Sequence, residues 1–126
     1  KVVSMTKPRA EFVANAVQLL AEIQNGLFME AKKRLDDNIV TGIYTFDELT
    51  QYFGAVEADD EAGAFRGWVK VAWSRPEGAD LEAVADRLKD LKLTIRNAPL
   101  AQEPPTGACI FTGEPAREFV LIARAY

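Results

Sequence analysis

The segment from Phe119 to Ala123, close to the end of the chain, constrains the fold more than any other stretch of the sequence. Its five residues are all apolar. Because successive side chains of a strand point to opposite faces, both faces of this segment are hydrophobic. Such strands are typical of the interior of a sheet, or of a sheet that is covered twice. The sequence therefore predicts an interior or doubly covered strand over residues 117–123.

A long helix is predicted near the start of the chain. Thr6 and Pro8 form a helix-start signal, since threonine can cap a first turn and proline is preorganised for it. From Phe12 to Leu35, apolar residues recur at steps of three and four, which places them on one stripe of a helix. We expect this amphipathic helix to span residues 8–37.

The rest of the chain predicts short elements that alternate in type. A capping box starts a helix at Thr45 that ends at Gly54, and Asp80 is the expected cap of a further helix that reaches Leu91. Strands are expected at residues 39–44, 65–73, 92–96 and 117–123. After the long helix the order is β-α-β-α-β-β. We therefore predict a single α+β domain over residues 1–126, with a two-layer mixed sheet whose helices cover one face.

The composition excludes several classes of protein. A net charge of −4 means that the chain lacks the basic footprint of a protein that binds nucleic acid by phosphate neutralisation alone. No histidine and a single cysteine exclude an internal disulfide and an ordinary Cys/His metal site. No apolar run is long enough to span a membrane, and no signal pattern opens the chain. We expect a soluble, cytoplasmic protein without a membrane partner.

No complete active site can be assembled from the sequence. There is no histidine to act as a general base and no glycine-rich phosphate loop. The acidic run at residues 57–61 is expected to be a hydrated loop. Cys109 has no histidine partner and is expected to be a small buried residue rather than a nucleophile. The sequence therefore predicts no catalytic residue.

Several polar and aromatic residues are candidates for a contact surface. Four of them come from three predicted strands and could meet on one face of the sheet, namely Lys70, Thr94, Arg96 and Arg124. They could contact phosphate or an adjacent domain, although solvated or salt-bridged side chains are the alternative. Trp68 and Trp73 have opposite parity on one strand, so one should lie in the core, and Trp73 is the better interface candidate.

Short motifs along almost the whole chain carry a family resemblance. They are Ile23–Ala31 followed by Asn38, Gly67–Val69 followed by Trp73, Thr94–Arg96 followed by Pro99, Gly107–Ala116, and the terminal Ala123–Tyr126. In their order and spacing these motifs resemble the C-terminal domain of prolyl-tRNA synthetases of the eukaryote/archaeon-like type. The opening residues 1–5 resemble the tail of the anticodon-binding domain that precedes it in that family.

The resemblance implies a role within a larger enzyme. The parent enzymes are class II ligases that use ATP and Mg to activate L-proline and transfer it to tRNA(Pro), and a homodimer is the expected state. In that family this domain resembles the C-terminal domain of translation initiation factor three and packs on the catalytic domain. Its terminal tyrosine, here Tyr126, reaches toward the active site with a positioning role. No catalytic residue carries over, and the partners would be the catalytic and anticodon-binding domains of the same parent.

One departure from the family concerns a metal. Many relatives hold zinc with four cysteines, and the corresponding positions here are Ser74, Ala79, Cys109 and Thr112. A single thiolate cannot supply a tetrahedral structural site, so zinc is expected to be absent. The stability that the metal contributes in those relatives is expected to come here from packing around the same turn, with Cys109 buried.

Two alternative functions stay open at this point. A stand-alone RNA-binding module could use Lys70, Arg96 and Arg124, although the acidic composition argues against it. A dimerisation module could be built on the long helix.

Overall fold

The computed structural model of the chain describes residues 6–54 and 66–124. Within these ranges it is an α+β structure of three helices and four strands. The elements are α1 (Arg9–Asp37), β1 (Ile39–Val40), α2 (Phe46–Gly54), β2 (Trp68–Trp73), α3 (Gly78–Asp90), β3 (Leu93–Asn97) and β4 (Glu118–Arg124). This order confirms the predicted succession of elements. The chain forms two compact units, one ending at Asp37 and one beginning at Asn38, and a single domain over residues 1–126 stays a prediction.

The first unit contains α1, which has the predicted amphipathic pattern. Ion pairs join residues four apart in this unit, such as Lys7 with Glu11 at the start of the helix and Glu30 with Arg34 near its end. None of its residues is buried. Its large apolar side chains are exposed, and most of them lie along one side of the helix; they are Phe12, Val13, Val17, Leu19, Leu20, Ile23, Leu27, Phe28, Met29 and Leu35. A role of this helix in dimerisation stays a prediction.

The second unit is built around one sheet whose strand order is β1-β2-β4-β3. Strand β1 runs parallel to β2, with Ile39 opposite Trp68. Strand β4 pairs antiparallel with β2 on one side and with β3 on the other, so β2 and β3 are parallel to each other. Ile122 of β4 lies between Val69 and Ile95. The prediction of an interior strand near residues 117–123 is therefore confirmed.

The core lies on the face of this sheet that α2 and α3 cover. Helix α2 contributes Leu49 and Phe53, and α3 contributes Val84 and Leu88. The strands contribute alternate residues, as period-two burial requires; they are Val69, Val71, Trp73, Leu93, Val120 and Ile122. Both helices thus pack on one face, which is the predicted two-layer arrangement.

Several element boundaries differ from the expectations; β2, for example, begins at Trp68 rather than at residue 65. Strand β1 is two residues long rather than six, because Gly42 adopts a φ of 88° and ends the extended segment. Helix α3 begins at Gly78 with Glu77 at the N-cap position, so the prediction that Asp80 caps this helix is wrong. Asp80 instead lies in the first turn, where its carboxylate interacts favourably with the positive end of the helix dipole.

The capping box of α2 forms as predicted. The backbone N–H of Glu48 donates to Thr45 Oγ1 over 3.2 Å, and the backbone N–H of Thr45 donates to Glu48 Oε2 over 3.0 Å. The N–H of Tyr44 donates to the same carboxylate. These backbone donors, with that of Tyr44 first, lower the pKa of Glu48, because they stabilise the ionised carboxylate.

The loop after β3 is joined to the sheet by one side chain. Gln102 accepts a hydrogen bond from the backbone N–H of Phe119 over 2.5 Å and donates to the carbonyl of the same residue over 3.2 Å. Phe119 lies opposite Ala72 of β2, so these bonds occupy the side of β4 on which β3 has already ended. The same amide also donates to the carbonyl of Pro99.

Gly67 is the glycine with the strictest steric requirement. It has a φ of 79°, and a Cβ built on it would lie 2.3 Å from the carbonyl oxygen of Asn38. That oxygen accepts a hydrogen bond from the backbone N–H of Trp68 over 2.9 Å, so it cannot move without breaking the start of β2. Only glycine satisfies both the backbone angle and the contact.

We predict that Gly67→Ala lowers the free energy of unfolding by at least about 2 kcal/mol. Two costs contribute to this loss, namely the strain of an alanine backbone in the left-handed region and the clash of its Cβ with the carbonyl oxygen of Asn38. Gly54→Ala is the control, since Gly54 has no neighbour within 4 Å of such a Cβ and no positive φ. That variant should be neutral or stabilising by up to about 1 kcal/mol. Urea denaturation of both variants measures the difference, and equal midpoints would contradict the steric argument.

Candidate functional site

The turn between residues 107 and 116 is the most constrained irregular segment of the second unit. The backbone N–H of Cys109 donates to the carbonyl of Glu114 over 2.7 Å, and the N–H of Gly113 donates to the carbonyl of Cys109 over 3.0 Å. Gly113 adopts a φ of 74°, which a glycine tolerates without strain. The turn is also attached to β2, because the N–H of Ile110 donates to the carbonyl of Ala72.

Three of the four positions that correspond to zinc ligands in the resembled family come together at this turn. Cys109 is 2% exposed, and Ser74, which follows β2, is 4% exposed. The Ser74 and Thr112 hydroxyl oxygens are 3.0 Å apart and hydrogen-bonded. Ala79 lies in the first turn of α3 and is exposed. We call Ser74, Cys109 and Thr112 the hydroxyl–thiol cluster.

The hydroxyl–thiol cluster changes the acidity of its thiol. Burial alone raises the pKa of Cys109, because it disfavours the thiolate. Hydrogen bonds to the thiolate from the Ser74 hydroxyl and from the backbone N–H of Phe111 oppose this effect, and the hydroxyl and N–H of Thr112 add to them. Each hydroxyl has one proton, so a hydroxyl that donates to the sulfur accepts from the other hydroxyl or gives up that bond. Together these donors outweigh burial, so the pKa of the Cys109 thiol lies below its ordinary value.

The donor set of this cluster does not fit zinc. A structural zinc site takes four ligands from cysteine thiolates, histidines and carboxylates. Here the set is one thiol, two hydroxyls and, at Ala79, a methyl group. Nor does any group of three histidine, cysteine, aspartate or glutamate side chains come together elsewhere in the parts of the chain that the structure describes.

Aromatic packing holds the turn against the rest of the second unit. The ring of Phe111 lies 5.6 Å from that of Trp73 in an edge-on arrangement and 5.7 Å from that of Phe46. Arg87 of α3 stacks on the Phe46 ring at 3.7 Å and donates to the carbonyl of Phe111. Phe46, Arg87 and Phe111 were absent from the sequence-based candidates. The helix position of Arg87, three residues after the apolar Val84, gave no signal that it meets a turn 24 residues later.

Trp73 lies in the core rather than on the surface. It is 7% exposed and packs against Phe111, whereas Trp68 at the other end of β2 is half-buried. The opposite parity of the two side chains is as expected, but Trp68 is the more accessible of the two. An interface role for Trp73 stays a prediction.

The four polar strand residues do not meet on one face. Lys70 lies opposite Leu121 on the face away from the helices, and its ammonium group lies 4.3 Å from the ring centroid of Phe119. Thr94 lies opposite Ala123, which places it on the same face as Lys70.

Arg124 lies on the opposite, helix-covered face. It pairs with the buried Leu93, and its guanidinium donates to the carbonyl of Phe53 in α2 over 2.6 Å. Arg96 sits where the register shifts between Ile95 and Asn97, and its guanidinium donates to the carbonyl of Arg124. The two arginines thus fix the end of β4, and the described structure offers no continuous basic face.

Tyr126 lies outside the described residues, as do residues 1–5 and the acidic run at 57–61. The last described residue is Arg124. No helix in the described parts of the chain combines the length and apolarity that a membrane span needs.

Comparison with known proteins identifies relatives of this chain. A proline–tRNA ligase of Sphingomonas elodea is 46% identical over 126 residues, which is all of this chain and 24% of that protein. A second, from Bdellovibrio bacteriovorus, is 41% identical over 118 residues. The chain is a homologue of one region of proline–tRNA ligase. That region is the C-terminal one, and the chain spans about a quarter of the length of the curated relatives. No family model matches the chain.

Solved structures of the same enzyme share the fold. The prolyl-tRNA synthetase of Cryptosporidium parvum, in complex with halofuginone and AMPPNP, superposes on 97% of this chain and 23% of its own, with a TM-score of 0.71 and 23% identity. The complex of that enzyme with L-proline and AMP gives a TM-score of 0.63. This likeness establishes a shared fold with part of a prolyl-tRNA synthetase.

We predict that Ser74→Ala and Thr112→Val each raise the pKa of the Cys109 thiol, because each removes a donor to the thiolate. A pH titration of the ultraviolet thiolate absorbance measures the shift, with Cys109→Ala as the blank. The lowered pKa also stabilises the fold at alkaline pH, above the ordinary thiol value of 9.0, and this gain is lost as the pH falls through the folded-state pKa. An unchanged titration in both variants would contradict the proposed hydrogen bonds.

Proposed function

We propose that this chain is the accessory C-terminal domain of a prolyl-tRNA synthetase. The parent would be a class II ligase of the cytoplasm that activates L-proline with ATP and Mg and transfers it to tRNA(Pro), and it would act as a homodimer. The support is the collinear similarity of the entire chain to one region of proline–tRNA ligases, together with the shared fold. Because the sequence predicts no catalytic residue, we expect the contribution of this chain to be structural.

The end of β4 carries the argument for a positioning role. This strand is held by ladders on both sides, and its last described residue, Arg124, is tied further by its bond to Phe53 and by the bond from Arg96. The end of β4 at Arg124 is therefore a fixed point of the sheet. We infer that the domain uses this anchor to direct Tyr126 toward the active site of the parent, on the catalytic domain.

Deleting Tyr126 from the parent enzyme should lower the rate of proline activation by about 10- to 100-fold, because misplacing a positioning group costs rate rather than folding. Arg96→Ala should produce a smaller loss of the same kind, since it loosens the anchor that precedes Tyr126. Proline-dependent exchange of pyrophosphate into ATP measures both effects.

Leu100→Ala is the matched control for these variants. Leu100 is fully exposed in the loop after β3, and its removal should leave proline activation unchanged. Thermal unfolding of the 126-residue chain should be unaffected by the loss of Tyr126. Normal activation after the deletion would contradict the positioning role, and equal losses in the Leu100 variant would assign the effect to general damage.

We further propose that the parent has no structural zinc at this domain. The donor set of the hydroxyl–thiol cluster supports this, since its single thiol leaves a tetrahedral site without three ligands. Its hydrogen bonds and the packing of Phe111 would hold the turn in place of the metal.

Metal analysis of the purified chain should therefore find zinc far below one equivalent. The triple variant Ser74→Cys, Ala79→Cys, Thr112→Cys supplies four thiols at the corresponding positions and should gain stoichiometric zinc. One equivalent of tightly bound zinc in the unaltered chain would contradict the proposal.

A further inference from the structure

An apolar groove of about 570 Å³ lies between α3 and the edge of the sheet formed by β3. The side chains that make it apolar are Trp73, Leu81, Val84, Leu88, Leu93 and Ile95. Leu81 stands at its rim and is 44% exposed, so the groove is open to solvent there. Its volume is in the range of clefts that bind small molecules or peptide side chains.

The groove reaches an edge of the sheet that has no partner strand among the described residues. Strand β3 pairs with β4 on one side only. Leu93, Thr94 and Ile95 all line the groove, although the Thr94 side chain lies on the other face of the sheet, so the backbone of β3 borders the groove. An unpaired edge presents backbone N–H and C=O groups that another extended chain can bind. The regular register stops after Ile95, which limits such pairing to about three residues.

Positive charge marks one end of this groove. The only charged residues in its lining are Lys89, at the end of α3, and Lys92, just before β3. Both are exposed and neither forms an ion pair with a residue that the structure describes. The acidic residues of α3 are not part of the lining. A ligand that fits the groove therefore presents negative charge near the start of β3.

We propose that β3 and this groove form a docking site for an extended peptide segment that adds to the sheet as a fifth strand. Its backbone pairs antiparallel with Leu93–Ile95, the arrangement with the more stable ladder. Two apolar side chains, spaced two residues apart, enter the groove beneath α3. An acidic residue at the C-terminal end of the segment meets Lys89 and Lys92. This mode of recognition combines main-chain hydrogen bonds for affinity with side-chain pockets for specificity.

The site is independent of the proposed synthetase role, so it can be tested on the 126-residue chain alone. The probe is a fluorescent peptide of seven or so residues that alternates leucine with threonine and ends in two aspartates. Fluorescence anisotropy should show saturable binding of this peptide at sub-millimolar concentrations of the chain. Amide NMR shifts should then concentrate at Leu93, Thr94 and Ile95.

Peptide variants test the strand pairing. In an antiparallel pair, alternate residues of the added strand direct their N–H groups toward the edge. N-methylation at one set of alternate positions should weaken binding by about tenfold or more, while methylation at the other set should have little effect. Equal effects at both sets, or none, would overturn the strand addition.

Protein variants test the groove and the charge. Leu81→Asp places a charge at the half-exposed rim and should abolish binding without loss of the fold, which circular dichroism checks. The double variant Lys89→Glu, Lys92→Glu should weaken binding by about tenfold, and this loss should shrink at high salt. Arg9→Glu, a charge reversal in α1, is the control and should leave affinity unchanged. Absence of saturable binding to the unaltered chain, or binding unaffected by Leu81→Asp, would overturn the proposal.

Discussion

The two antiparallel ladders of β4 are the interaction on which the rest of the second unit depends. They connect β2, which is also paired with β1, to β3. Among the described strands, β3 pairs with β4 alone. They also bring together Val69, Ile122 and Ile95, the row of side chains on which α2 and α3 pack. Because hydrogen bonds of an interior strand are shielded from water on both edges, β4 is the part of the sheet least free to open locally. The turn before Glu118 takes its position from this strand.

The turn before β4 is held by several weak interactions in place of one strong one. Four thiolates around a metal fix a turn through strong, directional bonds. Here a serine, a threonine and one buried thiol share weaker hydrogen bonds in a dry environment, where unpaired polar atoms are costly. The aromatic contacts of Phe111 add buried area that a metal site does not require. The backbone conformation of this turn therefore depends on several weak interactions that form together.

Periodicity was sufficient to predict the elements with long or uniform patterns. The stripe from Phe12 to Leu35 predicted α1 to within one residue, and the apolar run of β4 predicted an interior strand. The sequence did not predict features that depend on a single backbone angle or on the pairing register of two strands. Gly42 shortens β1 through its left-handed conformation. The side of the sheet that Arg124 occupies depends on pairing with Leu93, and parity within one strand carries no information about the partner strand.

For the candidate site, the correspondence of Ser74, Cys109 and Thr112 was visible in the sequence, whereas Arg87 and Phe46 required the packing of two helices on the turn.

Gln102 has a further consequence for how the sheet is specified. A strand edge repeats every two residues, so a neighbouring strand can slide along it and recover most of its hydrogen bonds. A side-chain amide has one acceptor and a donor group at a single place, and on Gln102 both are engaged by Phe119. Sliding β4 by one residue would lose this pair, because the N–H and C=O groups of the residues on either side of Phe119 point to the opposite edge of the strand. Gln102 therefore fixes which set of alternate residues of β4 faces this loop, although it lies in an irregular segment outside the sheet.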